Sequence, residues 1–187
     1  MKKLLFSFSF FVMLFICGCH DANSNQMTDI EQWVSYDDIV IGSTTLETVE
    51  ALHGKSSDKD VIAESVEFVC YEGYHLIVED GQVKTIVIEN NTAPLLWNKI
   101  SVGSSLDMLL SILPVTPMKL EYDMASPPPD LPEKTDEPYA ILTTAFKENT
   151  SKVAEKQLVF AISPKYMITF QIDTEQDTIT EISLHSA

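Results

Sequence analysis

The sequence predicts an α+β fold of two tandem units, each a short helix packed on an antiparallel β-sheet. Three observations predict it. Residues 39–54 and 100–114 share a short extended start, a glycine, Ser or Thr, and then apolar residues at helical spacing. Each segment is followed by runs rich in β-branched and aromatic residues, the composition of strands. The last of those runs also repeats, Val83-x-x-Ile86-x-Ile88 against Ile179-x-x-Ile182-x-Leu184. Recurrence at both helix and strand points to an internal duplication.

The chain opens on Lys2 and Lys3, and an apolar run broken only by Ser7 and Ser9 extends from Leu4 to Ile16. Ile16-Cys17-Gly18-Cys19 closes it. A membrane-crossing helix needs roughly 20 apolar residues, so this shorter run reads as a secretory signal. Its ending resembles the bacterial lipobox. That resemblance implies diacylation of Cys19 on sulfur, cleavage after Gly18 and a mature chain that begins at Cys19. The alternative is an ordinary signal peptide with a chance cysteine. Residues 1–18 are thus expected to be a lipoprotein signal peptide and 19–35 a lipidated flexible tether, because residues 20–32 are too polar to bury much surface. The folded part is expected outside the cytoplasm, held by lipid to the outer or the plasma membrane of a bacterial envelope.

The first unit is expected over residues 36–93. Gly42 makes the turn, Ser43 and Thr44 offer capping oxygens, and Thr45, Val49 and Leu52 form the stripe at helical spacing of a helix that ends at Gly54. Strands follow at Val66–Glu72, Tyr74–Glu79 and Gln82–Glu89, with Asp80-Gly81 a tight-hairpin signal. The second unit is expected over 94–187. Gly103, Ser104 and Ser105 precede Leu106, Leu109, Leu110 and Leu113, and Pro114 cannot continue the helix. Its strands are Tyr139–Phe146, Gln157–Ser163, Tyr166–Asp173 and Thr178–Leu184, the last two joined by a turn at Thr174–Asp177. Each helix is expected to lay its Val49/Leu52 or Leu110/Leu113 face on its own sheet.

The two units differ by an insertion. Gly42 and Val83 are 41 residues apart, whereas Gly103 and Ile179 are 76 apart, and most of the excess lies at 114–138. That stretch holds Pro127-Pro128-Pro129, Pro132 and the acids Asp123, Asp130, Glu133, Asp136 and Glu137. Proline favours extended, solvated chain, and a long loop of this kind is either functional or disordered. Those five acids, with Tyr139 just beyond them, are the candidate partner-binding residues.

Charge narrows the partner. The 187 residues carry a net charge of −16 and no arginine; without residues 1–18, ten lysines face 28 acids, a charge of −18. Nucleic-acid binders cluster Lys and Arg on phosphates, so no nucleic acid is expected. A basic protein partner would be attracted, although acidity also serves solubility alone. Cys70 is the only cysteine left beyond Cys19, so no disulfide forms within the mature chain. It reads as a buried inert thiol, the alternative being a nucleophile paired with His75.

The pattern Val40-Ile41-Gly42-Ser43-Thr44, then Val49, Leu52 and Gly54, resembles the family of exported domains that includes the BamE (SmpA/OmlA) outer-membrane assembly lipoproteins and the tandem-repeat β-lactamase inhibitory protein. Gly103, Ser104, Ser105, Leu110 and Leu113 match as well, with Pro114 where the pattern has glycine. The resemblance implies a scaffold that binds other proteins, a weak warrant for function. Catalytic signals are sparse. His20, His53, His75 and His185 lack metal-ligand spacing, and there is no GxSxG, phosphate loop or HExxH. Asp37-Asp38 and Glu79-Asp80 read as solvated pairs beside a strand and in a turn, the alternative being a catalytic dyad. No cofactor, metal or enzyme activity is therefore expected. The leading expectation is a non-catalytic protein-binding lipoprotein of the cell envelope, in assembly or maintenance. The second is an inhibitor or immunity lipoprotein that blocks a secreted enzyme or toxin.

Overall fold

The computed structural model describes residues 33–90, 96–126, 136–148 and 150–187. Two helices lie wholly within them, α1 (Leu46–His53) and α2 (Leu106–Ile112). The first-half strands are β1 (Ser35–Tyr36), β2 (Ile39–Val40), β3 (Asp58–Ala63), β4 (Val66–Tyr71), β5 (Tyr74–Glu79) and β6 (Gln82–Ile88). The second half adds β7 (Met118–Asp123), β8 (Tyr139–Phe146), β9 (Val153–Ser163), β10 (Tyr166–Ile172) and β11 (Ile179–Ser186). Trp33 and Val34, which fall inside the expected tether, pack with the folded region.

The expected pair of helix-on-sheet units does not form. Of the described residues 53% are strand and 11% helix, so the fold is mostly β. Nine strands make one sheet in the order β3-β4-β5-β6-β11-β10-β9-β8-β7. The two halves fuse where β6 pairs antiparallel with β11, Ile88 against Ile182 and Ile86 against Leu184. Each strand would otherwise end its half as an open edge with unsatisfied amides and carbonyls, and pairing them removes two edges. The sheet is also not wholly antiparallel. β7, inside the proline-rich insertion, runs parallel to β8. A parallel neighbour needs a long return connection, and residues 124–138 supply it.

Local chemistry is the same where the chain enters each helix. The amides of Gly42 and Gly103 donate to Val83 O and Ile179 O at 2.6 and 2.7 Å. Those of Leu46 and Leu106 donate to Gly81 O and Asp177 O at 2.9 and 2.8 Å. Thr45 and Ser105, both extended, accept from the amides of Thr48 and Met108 at 3.2 Å and so cap α1 and α2. The register of the seam matches this repetition. The pairs Ile88–Ile182 and Ile86–Leu184 flank Val87–Ser183, which lies on an approximate local dyad.

One apolar core lies on one face of the sheet. Leu76, Ile86, Leu184, Ile168 and Phe160 form a row across five strands, all buried in a single cluster. The β1–β2 hairpin contributes Tyr36 and Ile39, the helices Leu46, Val49, Leu106 and Leu109, and the segment before α2 Leu96 and Ile100. Trp33 meets Phe160 at 5.2 Å and Trp97 meets Phe170 at 6.3 Å. Leu52 does not join this core, being 56% exposed. With about 100° between successive helix residues, it lies about 120° round from Leu46, whereas His53 returns to Leu46's side.

Candidate functional site

Alternate residues of every strand point away from the core, and on this second face they align into two rows. One runs Asp60, Phe68, Ile77, Thr85, His185, Met167, Ala161, Tyr139. The other runs Asp58, Cys70, His75, Val87, Ser183, Thr169, Val159, Ile141, Met118. None of these side chains belongs to the core cluster. Apolar and hydroxyl groups fill the centre, acids stand at the β3 end, and neither row contains a lysine. Phe68, Ile77, Val87 and Val159 are half-buried. Thr85 accepts or donates across the seam to His185 Nδ1 at 3.3 Å, and the Ser183 hydroxyl donates to Glu181 at 3.0 Å. Burial pushes the His185 imidazole below its ordinary pKa, and nearby Glu181 opposes this in part.

At the acidic end His75 Nε2 lies 2.7 Å from Glu89 and its ring lies 5.1 Å from that of Phe68. His75 Nδ1 is buried without a partner. Cys70, directly opposite His75, has its thiol pKa raised by desolvation first and then by Asp58, Asp60 and Glu89. A thiol held protonated is a poor nucleophile. At the other end a cavity of about 200 Å³ opens among Tyr139, Ala161, Lys165, Tyr166, Met167 and His185.

Of the candidate partner-binding residues, Tyr139 is the one the structure brings to this cavity. Asp136 and Glu137 lie just ahead of it, before β8 begins. Asp123 ends β7 opposite Phe146, seven residues along β8 from Tyr139, a distance of roughly 23 Å at strand rise. Asp130, Glu133 and Cys19 lie outside the described residues. The four described candidates, Asp123, Asp136, Glu137 and Tyr139, do not converge on one site. The rows themselves were missed, yet they had a signal. Val66-Glu67-Phe68-Val69-Cys70-Tyr71 and Ala140-Ile141-Leu142 are apolar at odd and even positions alike, a pattern of strands with work on both faces.

The remaining polar residues sit in structural settings. Asp37 and Asp38 form the β1–β2 turn, both at positive φ. His53 Nε2 lies 3.0 Å from the Asp37 carbonyl, and its ring packs edge-on to Tyr71 and Tyr74. Burial pushes the Tyr36 and Tyr74 hydroxyls well up, and neither has a hydrogen-bond partner. Among the described residues no group of three His, Cys, Asp or Glu is placed to hold a metal ion, and no helix is long and apolar enough to cross a membrane.

No family model and no curated protein matches the chain. Two solved structures are similar at low identity. An extracellular protein containing an SCP domain, from Bacillus anthracis, is 9% identical with a TM-score of 0.47, over 78% of this chain and 44% of that one. This chain thus spans less than half of that protein's length. A DUF4309 family protein (YjgB) from Bacillus subtilis is 14% identical with a TM-score of 0.42, over 81% of this chain and 84% of that one. Neither is a BamE or a β-lactamase inhibitory protein.

Proposed function

We propose that this protein is a lipid-anchored, non-catalytic protein-binding module of the bacterial cell envelope, and that its partner docks on the second face of the sheet. The observation that supports this reading is the pair of rows outside the core, where half-buried Phe68, Ile77 and Val87 adjoin across three strands and Val159 lies beyond Ser183 and Thr169. A contiguous apolar area rimmed by polar groups is the signature of an interaction surface. Anchoring rests on Cys19 and the lipobox-like run before it; more than one acyl chain gives stable membrane attachment. Cys19→Ser is expected to release the protein to the soluble fraction and abolish labelling by a palmitate analogue. Unchanged membrane recovery in that variant would remove the anchor from the reading.

Docking is tested by photo-crosslinking in the envelope, with the probe at Ile77 or Val87 on the face and at Leu52 or Val61 elsewhere, the last two 56% and 69% exposed. One discrete protein adduct from the face positions, absent from the other two, is expected. An adduct from Leu52 or Val61 but not from the face would overturn the docking site. The inhibitor or immunity reading draws on the cavity at Tyr139, beside the proline-rich connection, because a socket at a loop's end suits capture of a partner's side chain. A captured secreted hydrolase or toxin would favour it over envelope assembly.

A further inference from the structure

We infer that the partner presents a cationic protein surface with an apolar centre, its lysines or arginines meeting the β3 end of the second face and an apolar side chain entering the cavity at Tyr139. This rests on the docking face proposed above. The approximate dyad through Val87–Ser183 relates Asp58, Cys70 and His75 in the first half to Ile141, Val159 and Thr169 in the second. Equivalent places on one scaffold therefore carry opposite chemistry, charged at one end and apolar at the other. The charge at the first end is not neutralised from within. Lys59, on the same strand as Asp58 and Asp60, is turned to the core-side face and pairs with Glu67 at 3.0 Å. No lysine pairs with Asp58 or Asp60 among the described residues, both of which are exposed. Among the described residues the one hydrogen bond to either carboxylate comes from the Lys59 amide to Asp58, at 2.9 Å.

Charge decides among the occupants. A second copy of the lipidated chain would bring the same carboxylates and another net −18 against this face, and an anionic lipid surface would be repelled for the same reason. A basic protein gains both a faster encounter and a fixed orientation, since only one end of the face attracts it.

The test uses the full lipidated chain in detergent and, as probe, a peptide of alternating lysine and leucine, with its glutamate–leucine counterpart as reference. Asp58→Asn/Asp60→Asn removes two charges from the face, and Glu47→Gln/Asp107→Asn removes two from the helix starts. The face variant is expected to bind the lysine peptide about fivefold more weakly, as for two exposed charge pairs, with a smaller salt dependence. The helix variant is expected to stay within about twofold of wild type. Equal losses in the two variants would reduce the effect to net charge and overturn the inference, as would no loss in the face variant. Tight binding of the glutamate peptide would overturn it as well. The Ile77 and Val87 crosslinks separate the two levels. If they persist undiminished in the face variant, docking stands and the cationic partner is wrong; if they never form, the docking face itself is wrong.

Discussion

Gly42 and Gly103 occupy the same place before their helices, yet they are under different constraints. Both have positive φ, 77° and 91°, which glycine adopts without strain and alanine does not. A Cβ at Gly42 would also meet Ser186 Cβ and Oγ at 3.3 Å, whereas one at Gly103 meets nothing within 4 Å. Gly103→Ala is therefore expected to lose about 1 kcal/mol and Gly42→Ala roughly 2–3 kcal/mol, by urea midpoint. Equal losses would mean that Ser186 yields without resistance. His185 gives a pH dependence with a definite sign. Its folded pKa lies below the unfolded value of about 6.5. Below that value the unfolded chain binds the proton more readily, so this contribution is complete above about pH 6.5 and is lost as pH falls toward the folded pKa. His185→Gln should flatten the change in urea midpoint between pH 7 and 5.5. An unchanged slope in the variant would show that burial of this ring has no part in it.

At the scale of elements, each helix has two turns and depends on its cap. Thr45→Ala and Ser105→Ala should each cost about 1 kcal/mol of stability in urea titrations, since the amides of Thr48 and Met108 lose their acceptors. Serine at 45 should restore most of the loss; a failure to do so would implicate the Thr45 methyl rather than its hydroxyl. The Ser105 cap, both helices and seven of the strands are legible in the sequence because their signals are local, whereas Thr45, which reads as part of the first helix's apolar stripe, is its cap. Asp80 and Gly81, at φ 50° and 76°, make the tight turn their pairing implies. β3 was not legible: Asp58-Lys59-Asp60 reads as solvated chain, and all six of its residues are exposed on an edge. β7 sat hidden among prolines and pairs parallel, which no local pattern announces. Leu52 reads as core because it is apolar at helical spacing, but the two-turn helix is too short to bury both flanks of its stripe. In the candidate site, Tyr139 was visible as an aromatic beside an acidic loop. Its neighbours Ala161, Met167 and His185 become neighbours only through strand pairing 20 or more residues away.

Across the whole molecule the decisive feature is the seam, which no local signal encodes. β6 and β11 have the same alternation, and unpaired they would edge separate sheets of four and five strands. Pairing them instead closes two edges and makes the core continuous. The halves are also laced together: Trp33, ahead of the first helix, packs on Phe160 of β9 and lies 4.3 Å from Trp97. A fragment of residues 36–93 loses the seam, Trp33 and the partners of Ile86 and Ile88, leaving buried apolar side chains and a row of edge amides open to water. The intact chain is therefore expected to unfold in urea in one transition, coincident by tryptophan fluorescence and by far-UV circular dichroism. The fragment is expected to lack a cooperative transition or to self-associate through β6, using the pairing it lost. A monomeric fragment with its own sharp transition would show that each half is a domain in its own right and that the seam is an interface between two domains.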